Sequence, residues 1–356
     1  MNYRKTAIYA QTDASTAKTE PIDLDLSEVI SRLQVKFNAT NSTHDATDHP
    51  AKQVSKVEIV DGSDVLYSLS GQQIEALMFY NTKRGRNYEM EYRNGLENRM
   101  VLDLLFGRKL WDPLLAFDPR KFKNPQLKIT HNKALGGSLP TTATLEVFAD
   151  VFDEKVVEPI GYIMPKEFKA YTSPSSADNE YTELPNDYPI KRIGVMGYKA
   201  DLWWDNIFTE IELDEENKKR LPWSIDAYDL MQLAMTEYGQ YVETLVGTAP
   251  TIATHTWFVT PVEVPAPMIS PIGGSWYGGI GSETSGGYIS QVFTVQCAFR
   301  ALISGIIPHG LVPLDCGDQM DPDDWYDVTK KGKIKLRVKA GGSADIKIVL
   351  EQLRKY

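Results

Sequence analysis

Apolar and polar residues alternate in short runs along most of this chain. Residues 31–40, SRLQVKFNAT, alternate with period two and predict a strand. Val57 and Ile59 do the same, the Asp61-Gly62 pair reverses the chain, and Val65 and Tyr67 resume the alternation. Ser70 then opens a helix: with Gln73 it forms a capping box, and Ile74, Leu77 and Met78 share one face. Residues 207–239 repeat this order. Ile211 and Leu213 predict a strand, DEENKK a turn, and Ser224 the cap of a helix whose inner face carries Ala227, Leu230, Met231 and Ala234.

A third block recurs behind these two. Phe117-Asp118 and Tyr326-Asp327 each precede a basic loop and an alternating strand. Each copy then passes a glycine pair, Gly136-Gly137 or Gly341-Gly342, into a last strand, which predicts a closing hairpin. Three blocks in one order predict an internal duplication. The second copy carries a Pro- and Gly-rich insert at about residues 240–315, and a long ordered loop of this kind is usually functional. The expected organisation is an N-terminal arm over 1–25, a first unit over 26–170, a linker over 171–190 and a second unit over 191–356.

Many short strands with one helix per copy predict an all-β fold of two tandem sandwiches, each a jelly roll with a flanking helix. The segment VEIVDGSDVLYSLSGQQIEALMFY (57–80) and the ending LRVKAGGSADIKIVLEQLRKY resemble the early and closing parts of the double jelly-roll major capsid proteins of tailless icosahedral viruses, including phages with an internal membrane. The resemblance implies a structural protein with no catalytic residue and no cofactor. It implies a homotrimer of pseudo-hexagonal outline that tiles an icosahedral shell. The partners would be neighbouring trimers, minor capsid and vertex proteins and an internal membrane, in a virion assembled in the host cytoplasm. The insert would form an outward tower or a clasp between copies.

Composition narrows the alternatives. A net charge of −10 argues against a nucleic-acid-coating role, which needs clustered Lys and Arg. Cys297 and Cys316 make neither a disulfide framework nor a zinc spacing and are expected as small core residues. No apolar run approaches the roughly 20 residues that cross a bilayer.

Candidate chemistry is sparse. The stretch GGSWYGGIGSETSGG (273–287) lacks the Gly-Lys-Ser/Thr of a phosphate loop, and its Trp276 and Tyr277 are read as contacts between copies. Asp318, Asp321 and Asp323 are candidate ligands for a hard cation, although the order of ligands is not that of an EF-hand. The histidines have no zincin spacing, and no Gly-x-Ser-x-Gly elbow is present. The basic stretch 83–99 is read as a solvated loop. The alternative function is a carbohydrate-binding or glycoside-active two-domain β-sandwich protein, with Trp203, Trp204 and Trp257 as sugar-facing rings.

Overall fold

A computed structural model describes residues 1–86, 88–174, 178–199, 202–264, 267–272, 279–280, 284–293 and 296–356. The first half contributes β1 (Tyr3–Asp13), β2 (Lys18–Asp23), β3 (Ile30–Thr40), β4 (Val54–Asp61), β5 (Asp64–Leu69), helix α1 (Gly71–Thr82), β6 (Met90–Glu91), β7 (Glu97–Leu105), β8 (Pro125–His131) and β9 (Thr142–Phe152). Two four-stranded layers form, β1-β9-β3-β7 and β2-β8-β4-β5. Alternation dictates this: Leu33, Val35 and Phe37 of β3 point into the sandwich with no exposure, while Arg32, Gln34 and Lys36 face outward.

The second half repeats the topology. β10 (Gly161–Thr172), β11 (Asn179–Glu183), β12 (Ile190–Tyr198), α2 (Trp204–Ile207), β13 (Phe208–Glu215), β14 (Arg220–Asp226) and α3 (Ala227–Tyr238) precede an insert. The insert holds β15 (Tyr241–Ala249), β16 (Thr254–Phe258), β17 (Pro261–Val264), β18 (Met268–Pro271), β19 (Gly279–Ile280), β20 (Thr284–Ser285), β21 (Tyr288–Val292) and β22 (Cys297–Pro308). β23 (Leu311–Asp315), β24 (Ile334–Ala340) and β25 (Asp345–Lys355) finish the roll. Its layers are β10-β25-β12-β23 and β11-β24-β13-β14, the first roll's order strand for strand. The chain is thus a double jelly roll.

Likeness extends below the level of strands. Ile30 and Arg32 flank a register shift against β9, and Ile190 and Arg192 flank one against β25. Ile30 bridges to Phe117, and Ile190 to Tyr326. Asp118 and Asp327 each cap a short 3-10 turn behind that bridge.

The rolls are not hinged. β5 runs parallel to β10, with Ser68 opposite Lys166, and joins a layer from each roll into one eight-stranded sheet. Met164, Met196, Leu311 and Val349 of the second roll belong to the first roll's apolar core. The parallel pairing also fixes orientation. The helices and the insert lie toward one end of both rolls, and the tight β4–β5 and β13–β14 turns lie at the other.

Several expectations are corrected. Residues 1–25 are not an arm: β1 pairs with β9 and β2 with β8. Their polar faces hide the strand pattern because both lie on sheet edges, where Pro21 is tolerated. Residues 161–170, expected in the first unit, belong to β10 and open the second roll, and β11 lies inside the expected linker. The glycine-linked strands at each copy's end do not pair with each other. β8 and β9, like β24 and β25, belong to opposite layers, so each turn crosses the sandwich. Ser224 lies in β14, and the Asp226 side chain caps α3 by accepting from Tyr228 N–H at 2.9 Å. The capping box of Ser70 and Gln73 forms as expected. The described part of the insert is largely paired strand, with β15 and β22 in register over nine residues. No helix among the described residues is long and apolar enough to cross a membrane.

Candidate assembly interface

The seam between the rolls is built around α1. Ile74 and Leu77 pack into the first roll's core, while Tyr80 and Asn81 reach the second roll. Tyr80 O–H donates to the Leu311 carbonyl at 2.5 Å. The Asn81 carbonyl oxygen accepts from Lys191 Nζ and from an Arg192 guanidinium nitrogen, each at 3.0 Å. Arg192 bridges neighbouring strands, pairing with Asp315 at 2.6 Å and Glu351 at 2.8 Å. Burial alone would lower the pKa of Arg192, but Glu351 and Asp315 hold it charged. Burial pushes Lys191 down to about 8, against the pull of Glu351.

A second polar cluster ties α1 to the insert. His49, Glu75 and His309 bring ligand-type atoms within 4.8 Å of one another, and all three are buried. Hydrogen bonding decides whether this set suits a metal. Ala51 N–H donates to His49 Nδ1 at 3.0 Å, so Nε2 carries the proton; it lies 3.1 Å from Thr260 Oγ1. The Thr260 hydroxyl donates to Glu243 Oε2 at 2.7 Å, and Thr260 N–H to Glu243 Oε1 at 2.8 Å. His309 Nε2 donates to Glu75 Oε2 at 2.9 Å, and Arg86 claims Glu75 Oε1 at 2.6 Å. His49 Nδ1 is taken by the backbone and both Glu75 oxygens already accept hydrogen bonds, so the set forms a hydrogen-bonded lock across the seam. Burial lowers the pKa of both histidines and keeps them neutral. Burial would raise Glu75, yet Arg86 and His309 hold it well below the usual carboxylate range. Glu243, which burial pushes up to about 7 against Arg86, is the group nearest its titration point. His49 and His309 are far apart in sequence, and no local signal joins them.

The residues singled out from sequence fall elsewhere. The carboxylates of Asp318, Asp321 and Asp323 do not form a three-ligand group among the described residues. Two of them organise their own loop: Asp318 accepts from Met320 N–H at 2.8 Å and Asp321 from Asp323 N–H at 3.1 Å. Trp276 and Tyr277 lie outside the described residues. Trp204 and Trp257 are 0% and 1% exposed, which removes them as sugar-facing rings; Trp203 remains 39% exposed. Stretch 83–99 is only partly the solvated loop expected. Arg86 is buried on Glu75, and Arg93 and Arg99 pair with Glu91 and Glu97.

No protein-family model and no curated protein sequence matches the chain. Solved structures do. The major capsid protein of Sulfolobus Turreted Icosahedral Virus aligns with a TM-score of 0.63 at 14% identity, over 99% of this chain and 96% of that one. The major capsid protein of bacteriophage PM2 aligns with a TM-score of 0.57 at 10% identity, over 99% and 98%. This chain has the double jelly-roll fold of major capsid proteins. At these identities the likeness establishes the fold, over nearly the full length of both relatives.

Proposed function

We propose that the protein is a structural, non-enzymatic shell protein whose copies associate as pseudo-hexagonal homotrimers and tile an icosahedral capsid. The observation that carries this reading is that two like sandwiches, fused in one orientation, match known capsid proteins from end to end. Six such rolls in three chains give a near-sixfold tile, and closed rings of identical copies are the common route to large assemblies. The end bearing the helices and the insert faces outward, and the opposite end faces the interior and an internal membrane. Minor capsid and vertex proteins complete the virion, with assembly in the host cytoplasm. Burial of Trp204 and Trp257 speaks against the carbohydrate reading. Light scattering and negative-stain microscopy of the purified chain test the proposal. Trimers that assemble into closed shells are expected, and protein that stays monomeric at every concentration refutes it.

A further inference from the structure

The seam inside the chain is a template for a seam between chains. We infer that α3 and β14 of one copy dock on the outward face of β1, β9 and β3 in a second copy, as α1 and β5 dock on β10, β25 and β12 within one chain. This rests on the shell reading and specifies the surface it uses.

Three independent observations converge. First, α1 and α3 are both twelve residues long and directly follow β5 and β14, the matching last strands of the β2-β8-β4-β5 and β11-β24-β13-β14 layers. Counted from their caps, matched positions differ in burial. Leu77 is 4% exposed and its counterpart Leu233 is 56% exposed; Gln72 is half-buried and its counterpart Tyr228 is 51% exposed. A helix buried on nearly every side needs partners on two sides, and α1 has them. α3 has the second roll under Leu230 and Met231, while Leu233 is left exposed among the described residues.

Second, the strands that would meet are the unpaired ones. β5 pairs with β10, but their counterparts β14 and β1 are free sheet edges among the described residues. Exposed edges are normally covered or blunted.

Third, the receiving faces carry the same charged motif in two states. Arg192, sealed beneath α1, has a side chain 2% exposed and bridges Asp315 and Glu351. Arg32 occupies the matching place in β3, is 20% exposed, and bridges Asp103 and Asp150, each at 2.7 Å. Asn81 of α1 caps the Arg192 motif. Its counterpart on α3 is Glu237, an exposed carboxylate suited to the guanidinium of Arg32 and to Lys5 beside it.

The template also gives a register. Ser68 opposes Lys166 within the chain. Ser224 precedes its helix cap as Ser68 does, and Thr6 precedes Ile30 by the same number of residues as Lys166 precedes Ile190, so Thr6 should oppose Ser224 of the neighbour. Opposed strand residues lie within disulfide range. Thr6→Cys and Ser224→Cys proteins, each in a Cys297→Ser background, are mixed, oxidised and run on a non-reducing gel. A covalent dimer is expected from the mixture and none from either protein alone. Leu233→Asp, a change at an exposed site, should keep the wild-type circular dichroism and require at least tenfold more protein to trimerise. A wild-type trimer with no cross-link and no effect of Leu233→Asp overturns the docking inference and leaves the shell reading standing. Wild-type protein that never associates overturns the shell reading itself.

Discussion

Replacing Arg192 by alanine leaves Asp315 and Glu351 beneath α1 without their shared counter-ion. Lys191 compensates only in part, since it lies 3.6 Å from Glu351 and is itself pushed toward neutrality by burial. Removing one partner from a buried ion pair costs about 3–5 kcal/mol, most of it the penalty of the charges left behind. Arg32→Ala disrupts the matching motif where water still reaches it, and about 1 kcal/mol is expected there. At roughly 2 °C per kcal/mol for a chain of this size, the melting temperature should fall by roughly 6–10 °C for Arg192→Ala and by roughly 2 °C for Arg32→Ala. Differential scanning fluorimetry on protein dilute enough to be monomeric provides the comparison. Equal losses in the two variants would refute the argument that the covering helix, not the ion pairs alone, sets the energy. At concentrations where copies associate, docking over Arg32 should narrow the gap.

Three further outcomes are expected. Burial pushes Glu263 up to about 8 from an unfolded value of 4.5, so the folded chain holds a proton that the unfolded chain has released. Stability should therefore fall as pH rises from 5 to 8, by at most about 4 kcal/mol from this group; Glu263→Gln should flatten thermal melts across that window, and an unchanged slope would contradict the assignment. Gly310 has φ +75° and a Cβ there would meet the Gly197 carbonyl oxygen at 2.1 Å, whereas Gly62 at φ +62° has open space around it. Urea titration should show Gly310→Ala losing more than about 2 kcal/mol and Gly62→Ala about 1 kcal/mol. Leu77→Ala should cost about 2–5 kcal/mol in the same assay, and Leu233→Ala in the monomer less than about 0.5 kcal/mol.

What could be read from the sequence was local. The Ser70 capping box, the Asp61-Gly62 reversal and the aromatic-Asp turns each involve neighbours a few residues apart, and their repetition exposed the duplication. Layer assignment was not local. A glycine turn announces that the chain reverses but not whether the next strand pairs with the last, so the expected closing hairpins turned out to cross between layers. Edge strands β1 and β2 were missed because one neighbour is absent and the polar residues that protect an edge erase the alternation. Ser224 resembled a helix cap because Ser and Asp are both good caps and strand β14 ends two residues later. The lock of His49, Glu75, Thr260, Glu243 and His309 draws on both halves of the chain, and only the folded seam brings those side chains together.

The shared sheet and core between the rolls have a mechanical consequence. A load applied across the seam travels through strand hydrogen bonds and packed side chains shared by the two rolls. Any lattice assembled from this chain should therefore behave as stiff plates, and its compliance, whether under osmotic pressure or an indenting probe, should reside in the joints between separate chains.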